Sequence, residues 1–192
     1  MKEIILIGGG GHCKSVIDVI EQEGRFKIAG IVDKPEFLGA KVLGYSVIGD
    51  DSDLQYLAKK YTYALVTIGQ IKSPLLRINF FDLAAKFGFI QPSIISPRAY
   101  VSIHASIGSG VVIMHDVIIN ANTSIADNCI INSKALIEHD CKIYEHCHIS
   151  TSATLNGSVV VESGCFIGSG AITKESVTIV KNSFIKAGSI IK

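Results

Sequence analysis

Every sixth residue from Ile95 to Ile191 is aliphatic, with one exception at Thr173. A second series begins four residues later, at Ala99, and contains only Ala, Val, Thr, Cys or Ser as far as Ser189. A six-residue period matches neither the 3.6-residue turn of an α-helix nor the alternation of a simple hairpin strand. It is typical of a parallel β-helix, in which three hexapeptides form one triangular coil. We therefore predict a β-helical solenoid over residues 93–192, with the aliphatic series pointing inward and the small series at the corners.

Composition limits the classes of partner. The chain has 192 residues, of which 48% are hydrophobic, and a formal net charge of +1. A charge this small argues against nucleic acid or an anionic membrane as the main partner, so a small molecule is expected. No long uncharged apolar run indicates a membrane span, and residues 1–7 lack the features of a signal peptide. We expect a cytoplasmic protein.

Four of the five cysteines belong to the small corner series of the repeat: Cys129, Cys141, Cys147 and Cys165. A cysteine in such a position behaves as a compact apolar side chain. Cys13 lies outside the repeat, and the chain has no Cys-x-x-Cys pair that would suggest zinc. We predict neither a metal site nor a disulfide.

Residues 1–92 follow a different pattern. Apolar runs at 3–7, 26–32 and 63–68 read as strands, and the first run leads through four glycines into a helical spacing of apolar residues. Residues 50–60 and 73–88 can form two further helices, the second with a Ser-Pro start and a glycine stop. Alternating strands and helices predict a small parallel sheet, so we expect a Rossmann-like α/β domain before the solenoid.

The glycine turn is the candidate phosphate site of this domain. A turn that feeds a helix offers free N–H groups to an anion, and ligands of parallel sheets bind beyond the carboxyl ends of the strands. The glycines do not form the spaced dinucleotide fingerprint, because Cys13 stands where a further glycine is needed. A nucleotide-linked sugar fits this short domain better than NAD. Asp33, at the end of the second strand, could accept hydrogen bonds from a ribose or base, or could instead cap a helix or remain a solvated loop charge.

Five histidines lie in the solenoid, at repeat positions that all point outward. His139 stands between Glu138 and Asp140, and a neighbouring carboxylate can orient an imidazole as a general base. Gly157 follows His139 by one full coil, so its unobstructed N–H could stabilise an oxyanion beside that base. His148 is half a coil away from His139. It is too distant to share one site within a subunit, but a neighbour's His148 could face that site in a trimer.

The chain resembles a known enzyme family at several motifs. These are IGGGGHCKSVIDVI at the N-terminus, the Ile68-Gly69 turn, the unbroken hexapeptides, and IEHDCKIYEHCHIS followed by Asn156-Gly157. Together they are similar to the sialic acid O-acetyltransferases and the bacillosamine-pathway nucleotide-sugar N-acetyltransferases. The resemblance implies a left-handed solenoid, an exception to the usual right-handed crossover. It also implies acetyl-CoA as co-substrate and a homotrimer with active sites between subunits.

The same resemblance implies a role for each matching residue. His139 would be the general base and Asp140 the acid that orients it. The adjacent subunit's His148 would contact acetyl-CoA near the thioester, Gly157 N–H would receive the carbonyl oxygen, and Ser169 and Ala187 would line the pantetheine groove. The positions that match contacts to the nucleotide sugar are Gly10, Gly11, His12, Asp33, Lys34, Gly69 and Lys72, of which Lys34 and Lys72 replace acidic family residues.

The leading hypothesis is acetyl transfer from acetyl-CoA to the 4-amino group of a UDP- or dTDP-linked amino-dideoxy sugar. O-acetylation of a sialic acid-like sugar would use the same base. A scaffold that binds a nucleotide sugar without chemistry is a further alternative. Solenoid carbonic anhydrases hold zinc with histidines, but the histidine spacings of this chain do not reproduce that pattern.

Overall fold

The computed structural model describes residues 1–192 and begins with an α/β domain. Its helices are α1 (Gly11–Glu23), α2 (Leu54–Leu57) and α3 (Leu75–Lys86), with 3-10 turns at Pro35–Phe37 and Asp51–Asp53. Its strands are β1 (Lys2–Ile7), β2 (Phe26–Val32), β3 (Lys41–Val42), β4 (Tyr45–Gly49) and β5 (Tyr63–Val66). The strands form one sheet in the order β3-β4-β2-β1-β5, in which only β3 is antiparallel to its neighbour. The α/β domain predicted from the sequence is confirmed.

Some local predictions for this domain need correction. Residues 50–60 do not form one helix but a 3-10 turn followed by the single turn of α2. The third predicted strand ends at Val66 rather than at residue 68. The β3–β4 hairpin was missed, because its turn places Leu43 in the left-handed region (φ +48°) next to Gly44 (φ +92°), and leucine is a rare residue there.

The second half of the chain is the predicted solenoid, built from strands of two residues. They are β6 (Ile94–Ile95), β7 (Tyr100–Val101), β8 (Ser106–Ile107), β9 (Val112–Ile113), β10 (Ile118–Ile119), β11 (Ser124–Ile125), β12 (Ile130–Ile131), β13 (Leu136–Ile137), β14 (Lys142–Ile143), β15 (His148–Ile149), β16 (Thr154–Leu155), β17 (Val160–Val161), β18 (Phe166–Ile167), β19 (Ile172–Thr173), β20 (Thr178–Ile179), β21 (Phe184–Ile185) and β22 (Ile190–Ile191). Every third strand pairs in parallel, so that Ile119 lies beside Ile137 one coil on. The coil is that of a left-handed β-helix.

The corners of the coil share one backbone conformation. From Gly110 to Gly188, every sixth residue has a positive φ, and most of these positions hold Asn, Asp, Ser or Gly. These residue types adopt the left-handed region at low cost. The regular corner lets each two-residue strand turn onto the next face, which keeps the hexapeptide register intact.

Three sheets give the solenoid three faces with different outward side chains. We call β6, β9, β12, β15, β18 and β21 the covered face, because its outward residues Ile94 and Val112 are fully buried in one cluster with Val16 and Ile20 of α1. The sheet of β8, β11, β14, β17 and β20 is the polar face. The sheet of β7, β10, β13, β16, β19 and β22 is the apolar face, with outward Tyr100, Ile118, Leu136, Thr154, Ile172 and Ile190.

The interior agrees with the repeat. The second residue of each strand in the central coils, from Ile113 to Ile179, is buried, and so are all five cysteines, which are free thiols. Thr173, the one polar member of the inward series, is also buried and accepts a hydrogen bond from Asn156 N–H at 3.0 Å. None of the helices combines the length and apolar character that crossing a bilayer requires.

Candidate active site

His139 lies at the corner that follows β13, between the apolar and the polar face. Its Nδ1 is 2.7 Å from Asp140 Oδ2, and Asp140 Oδ1 accepts a hydrogen bond from Asn122 Nδ2 at 2.6 Å. An ionised carboxylate can only accept hydrogen bonds, so in the neutral ring Nδ1 carries the hydrogen and Nε2 is the nitrogen with the lone pair. The His139 side chain is 62% exposed. The predicted pairing of an outward imidazole with an acidic neighbour is present, and Nε2 is free to accept a proton.

Asp140 is held in place by the coil before it. Asn122 precedes it by one coil, and both residues adopt left-handed corner conformations, with φ of +59° and +62°. Two hydrogen bonds lower the pKa of the Asp140 carboxyl below its ordinary value. The one from Asn122 has the larger effect, and the one from His139 adds to it. The carboxylate therefore stays ionised and keeps His139 in one tautomer.

Gly157 lies directly against the His139 ring, one coil on. A β-carbon at this position would be 2.8 Å from His139 Cε1 and 2.9 Å from Nε2, too close for any residue but glycine unless the ring moved. Ser158 N–H donates to the His139 carbonyl at 2.9 Å, whereas Gly157 N–H donates to no backbone carbonyl. Gly157 therefore stacks on the His139 ring one coil on, and its N–H has no backbone partner.

The five solenoid histidines occupy the outward repeat positions, but they differ in how far solvent reaches them. His104 and His139 are exposed, but His115 and His146 are half-buried and His148 is only 8% exposed. All five rings point away from the coil interior, but the N-terminal domain covers the face from which His148 projects. The hexapeptide period reveals inside and outside of the coil, and it carries no information about which face another domain covers.

His148 is bound by a turn of the N-terminal domain. Its Nδ1 lies 2.6 Å from the Gln70 carbonyl oxygen, and its Nε2 lies 3.4 Å from Asn132 Nδ2. A carbonyl can only accept, so Nδ1 carries the hydrogen and Nε2 is the acceptor. Burial, and secondly the charge of Arg77, lowers the pKa of His148 to about 4, against the hydrogen bond to Gln70. His148 is therefore a neutral imidazole with a defined tautomer.

His12 is a second buried imidazole next to the glycine turn. Its Nε2 has no hydrogen-bond partner and is shielded from solvent. Burial lowers the pKa of His12 to about 3, and the nearby Arg77 and His148 act in the same direction. A buried polar atom without a partner is costly, so a ligand in the adjoining cavity would gain a hydrogen bond there.

The glycine turn is shaped by Asp33. Gly9 N–H donates to Asp33 Oδ2 at 2.7 Å, and Lys34 N–H donates to Asp33 Oδ1 at 2.8 Å. Asp33 thus has a role that was not foreseen from the sequence, because it holds the glycine turn to the end of β2. Gly10 and Gly11 have open space where a side chain would stand, and α1 begins at Gly11 without a side-chain cap. The N–H groups at the start of this 13-residue helix therefore face free space, as an anion site requires.

One cavity of about 1020 Å³ joins these groups. Its lining includes six of the seven positions that match nucleotide-sugar contacts: Gly10, Gly11, His12, Asp33, Lys34 and Gly69. Lys72 is exposed and lies outside the lining, so the structure does not bring it to the others. His148 and Asn132 of the solenoid also line the cavity, whereas His139 is absent from it. The lining thus comes from both domains and includes the buried imidazole of His148.

Ser169 and Ala187 lie one coil apart on the surface, as predicted. Gly188 N–H donates to the Ser169 carbonyl at 2.9 Å, and the Ser169 hydroxyl lies 2.9 Å from that of Ser150. A side chain at Gly168 would collide with the backbone of Ala187, so these coils stack closely. Both residues are exposed. They are separate from the interdomain cavity.

Three residues of the site were not foreseen from the sequence: Asn132, Gln70 and Arg77. Asn132 precedes His148 by 16 residues, which is two fewer than one full coil. Gln70 follows the predicted Ile68-Gly69 turn. Arg77 lies in a helix and carries no motif. Nothing in the local spacing marks these side chains, because their importance comes from contacts between the domains. No three His, Cys, Asp or Glu side chains converge as metal ligands would.

Comparisons with known proteins agree with this architecture. Residues 3–80 match the family described as PglD N-terminal domain. The acetyltransferase domain of PglB from Neisseria gonorrhoeae FA1090 is similar over 100% of this chain and 92% of its own, with 30% identity and a TM-score of 0.93. The same domain has also been solved in complex with acetyl coenzyme A. Among curated proteins, none matches the chain.

Two further solved structures are similar. A mutant of perosamine N-acetyltransferase from Caulobacter crescentus, in complex with CoA and GDP-perosamine, has 30% identity and a TM-score of 0.71 over 99% of this chain and 93% of its own. WeeI from Acinetobacter baumannii AYE shares the fold, with 20% identity and a TM-score of 0.76 over 99% of this chain and 96% of its own. Because identity of 30% extends over nearly the whole of both chains, this chain belongs to the family of hexapeptide-repeat sugar acetyltransferases that carry a PglD N-terminal domain.

Proposed function

We propose that this acetyltransferase moves an acetyl group from acetyl-CoA to the 4-amino group of a nucleotide-linked amino-dideoxy sugar, with His139 as general base. The observation that carries the proposal is the interdomain cavity, in which the glycine turn and the neutral His148 face one ligand space. The diphosphate of a nucleotide sugar would accept hydrogen bonds from the N–H groups at the start of α1, and the sugar would extend beyond it. The cavity volume of about 1020 Å³ has room for such a ligand.

The chemistry requires one proton acceptor and one oxyanion donor. The substrate amine attacks the thioester carbonyl, and His139 Nε2 takes the proton that the amine loses as the C–N bond forms. Gly157 N–H donates to the oxygen that becomes negative. The oxyanion then re-forms the carbonyl as the C–S bond breaks, and the CoA thiolate takes the proton from His139 Nε2, which yields the amide and free CoA and restores the neutral base. Base catalysis of this kind is typically worth about 10²–10⁴-fold, and an oxyanion donor about 10²–10³-fold.

The position of His139 implies that two copies of the chain build one site. His139 is exposed and lies outside the cavity that holds His148 and the glycine turn. This separation supports a site in which the His139 of a neighbouring copy serves a substrate in the cavity. By the same argument, acetyl-CoA would run along Ser169 and Ala187 between two solenoids and meet the neighbour's His148 near the thioester.

The apolar face supports a homotrimer as the assembly. Ile118 and Ile172 are 43% and 44% exposed, and Ile190 is 71% exposed, so this face presents a largely apolar ladder that only Thr154 interrupts. Large exposed apolar patches mark interaction surfaces. His139 follows β13 of this face directly, so a second copy seated on the ladder approaches the base. The predicted trimer, the cytoplasmic location and a role in glycan precursor synthesis remain predictions.

The nucleobase is tested by a panel of acceptors. Release of free thiol from acetyl-CoA is measured with UDP-, dTDP- and GDP-linked 4-amino-dideoxy sugars, and with free sialic acid as the acceptor for O-acetylation. We expect release with at least one nucleotide amino sugar and a kcat/KM at least a hundredfold lower for the matching 4-hydroxy sugar. Release with sialic acid alone would favour O-acetylation, and no release with any acceptor would contradict an enzymatic role.

A further inference from the structure

Arg77 is buried in the junction between the two domains without a carboxylate partner. Its side chain, on α3, is 1% exposed. Nη1 donates to the Ile68 carbonyl at 2.6 Å and to the Val66 carbonyl at 3.4 Å. Nη2 donates to the carbonyl and to the side-chain Oδ1 of Asn128, at 3.0 and 2.6 Å. A buried guanidinium is usually paired with an anion, but every acceptor here is neutral and Nε has none.

These bonds tie the cavity wall to the solenoid. Ile68 and Gln70 both line the cavity, and they belong to the turn that follows β5. Arg77 links Ile68 to Asn128, a fully buried corner residue of the solenoid. The carbonyl oxygen of Gln70, two residues after Ile68, accepts a hydrogen bond from His148 Nδ1–H at 2.6 Å. The turn 68–70 is therefore held to the solenoid at both ends, by Arg77 at one and by His148 at the other.

The charge of Arg77 acts on the same group of side chains. The groups that share its electrostatic field are His12, His146, His148 and the Cys129 thiol. Burial is the largest cause that lowers the pKa of each of these three imidazoles, and Arg77 adds to it. The carboxylates of Glu145, Asp82 and Asp127 oppose this effect only at His146. His12 and His148 thus face a buried cation that no acidic side chain offsets.

We propose that Arg77 is a positioning residue that holds the turn 68–70 against the solenoid, so that His148 presents an unprotonated Nε2 to the cavity. The use of that nitrogen by a substrate rests on the proposed function. The position and protonation of His148 do not, and they can be measured without any substrate.

The test follows the histidine ring nitrogens by NMR in the full-length protein labelled with ¹⁵N-histidine. The His148 signals are assigned from their absence in His148→Gln. In the wild-type protein, His148 is expected to stay neutral with its hydrogen on Nδ1 from pH 8 down to pH 5.5. In Arg77→Met, we expect averaging between the two tautomers and a roughly tenfold rise in proton affinity, because the cation and the tie are both lost. Arg98→Met, at an exposed arginine of the solenoid, is the matched control and should leave His148 unchanged.

Two further variants separate the tie from the charge. Arg77→Lys keeps a cation but lacks the guanidinium that bonds Ile68 on one side and Asn128 on the other. The His148 ring should therefore lose its fixed tautomer and stay neutral at pH 6. Asn128→Gly removes the side-chain acceptor and tolerates the corner φ of +53°. It leaves the Arg77 cation in place, so His148 should lose its fixed tautomer and stay neutral at pH 6, as in Arg77→Lys, and it serves as the test of the tie if Arg77→Met does not fold.

An unchanged His148 tautomer and titration in folded Arg77→Met, or in Asn128→Gly, would overturn the proposal. Acetyl transfer is assayed separately in each variant. If His148 moves as expected but no variant or wild-type protein acetylates any acceptor, the proposed function fails and the positioning role stands.

Discussion

Gly157 and His139 are in van der Waals contact across one coil, and a β-carbon on Gly157 would lie 2.9 Å from His139 Nε2. The Gly157 N–H donates to no backbone carbonyl, so it remains available to a ligand on this side of the coil. The contact also couples the two residues, because any side chain at position 157 must displace the ring from Asp140.

Replacement of His139 should remove catalysis and leave the fold intact. In His139→Gln we expect kcat to fall by about 10²–10⁴-fold, because the base is lost. The side chain is 62% exposed, so the melting temperature should change little. His104→Gln is the matched control, since His104 is the other exposed histidine of the solenoid. A kcat like that of the wild type in His139→Gln would exclude this residue as the base.

Gly157→Ala should also lower kcat, by about 10²-fold, because the new methyl group pushes the ring away from its hydrogen bond to Asp140. Gly157 does not adopt a positive φ, so the backbone itself is not strained by alanine. Steady-state kinetics with saturating acetyl-CoA would show the effect. Full activity in this variant would mean that the contact between Gly157 and His139 has no part in the reaction.

Two inactive variants should complement each other if the site is built by two chains. His139→Gln lacks the base, and His148→Gln lacks the imidazole that lines the cavity. Co-expressed as mixed oligomers, they should form some sites with both residues intact and recover a substantial fraction of wild-type activity. If both variants fold but their mixed oligomers recover no activity, both histidines belong to a site within one chain.

The apolar face should control the assembly. Ile118→Glu introduces a charge into the exposed ladder, so we expect trimers to dissociate, as measured by light scattering after size-exclusion chromatography. Activity should fall with the trimer fraction, since His139 is then separated from the neighbour's cavity. Tyr56→Glu, at an exposed aromatic residue of the N-terminal domain, is the control. If Ile118→Glu keeps both the oligomeric state and the activity of the wild type, this face is not the interface.

Stability should decrease as the pH falls below 6.5. His12 and His148 have an ordinary pKa of 6.5 when unfolded, and pKa values of about 3 and about 4 in the folded chain. Between pH 6.5 and 4 the unfolded chain therefore binds more protons, so the free energy of unfolding falls by about 1.4 kcal/mol per pH unit for each histidine. From about one pH unit above 6.5 both rings are neutral in both states, and their contribution to stability is constant.

Urea unfolding between pH 7.5 and 5 measures this slope. His148→Gln should reduce it by roughly one proton per molecule, because one of the two buried imidazoles is removed. An equal slope in the wild type and in His148→Gln would show that His148 is not held neutral by the fold.

Local spacing predicted the solenoid and the exposed half of the site. The aliphatic series from Ile95, the buried corner cysteines and the stacking of Gly157 on His139 all follow from the six-residue period, because neighbouring coils repeat the same short-range geometry. The period could not reveal that a domain covers His148, nor that Lys72 lies away from the ligand cavity.

The sequence by itself determined the two kinds of domain, the inside and outside of the coil, and the pairing of His139 with Asp140. The tertiary structure alone decided that Asp33 binds Gly9, that Gln70 binds His148 and that Arg77 crosses from one domain to the other. The physical reason is the range of the interactions. Strand period and corner conformation are set within a few residues, whereas the burial and protonation of His148 depend on a contact with a residue 78 positions away in the chain.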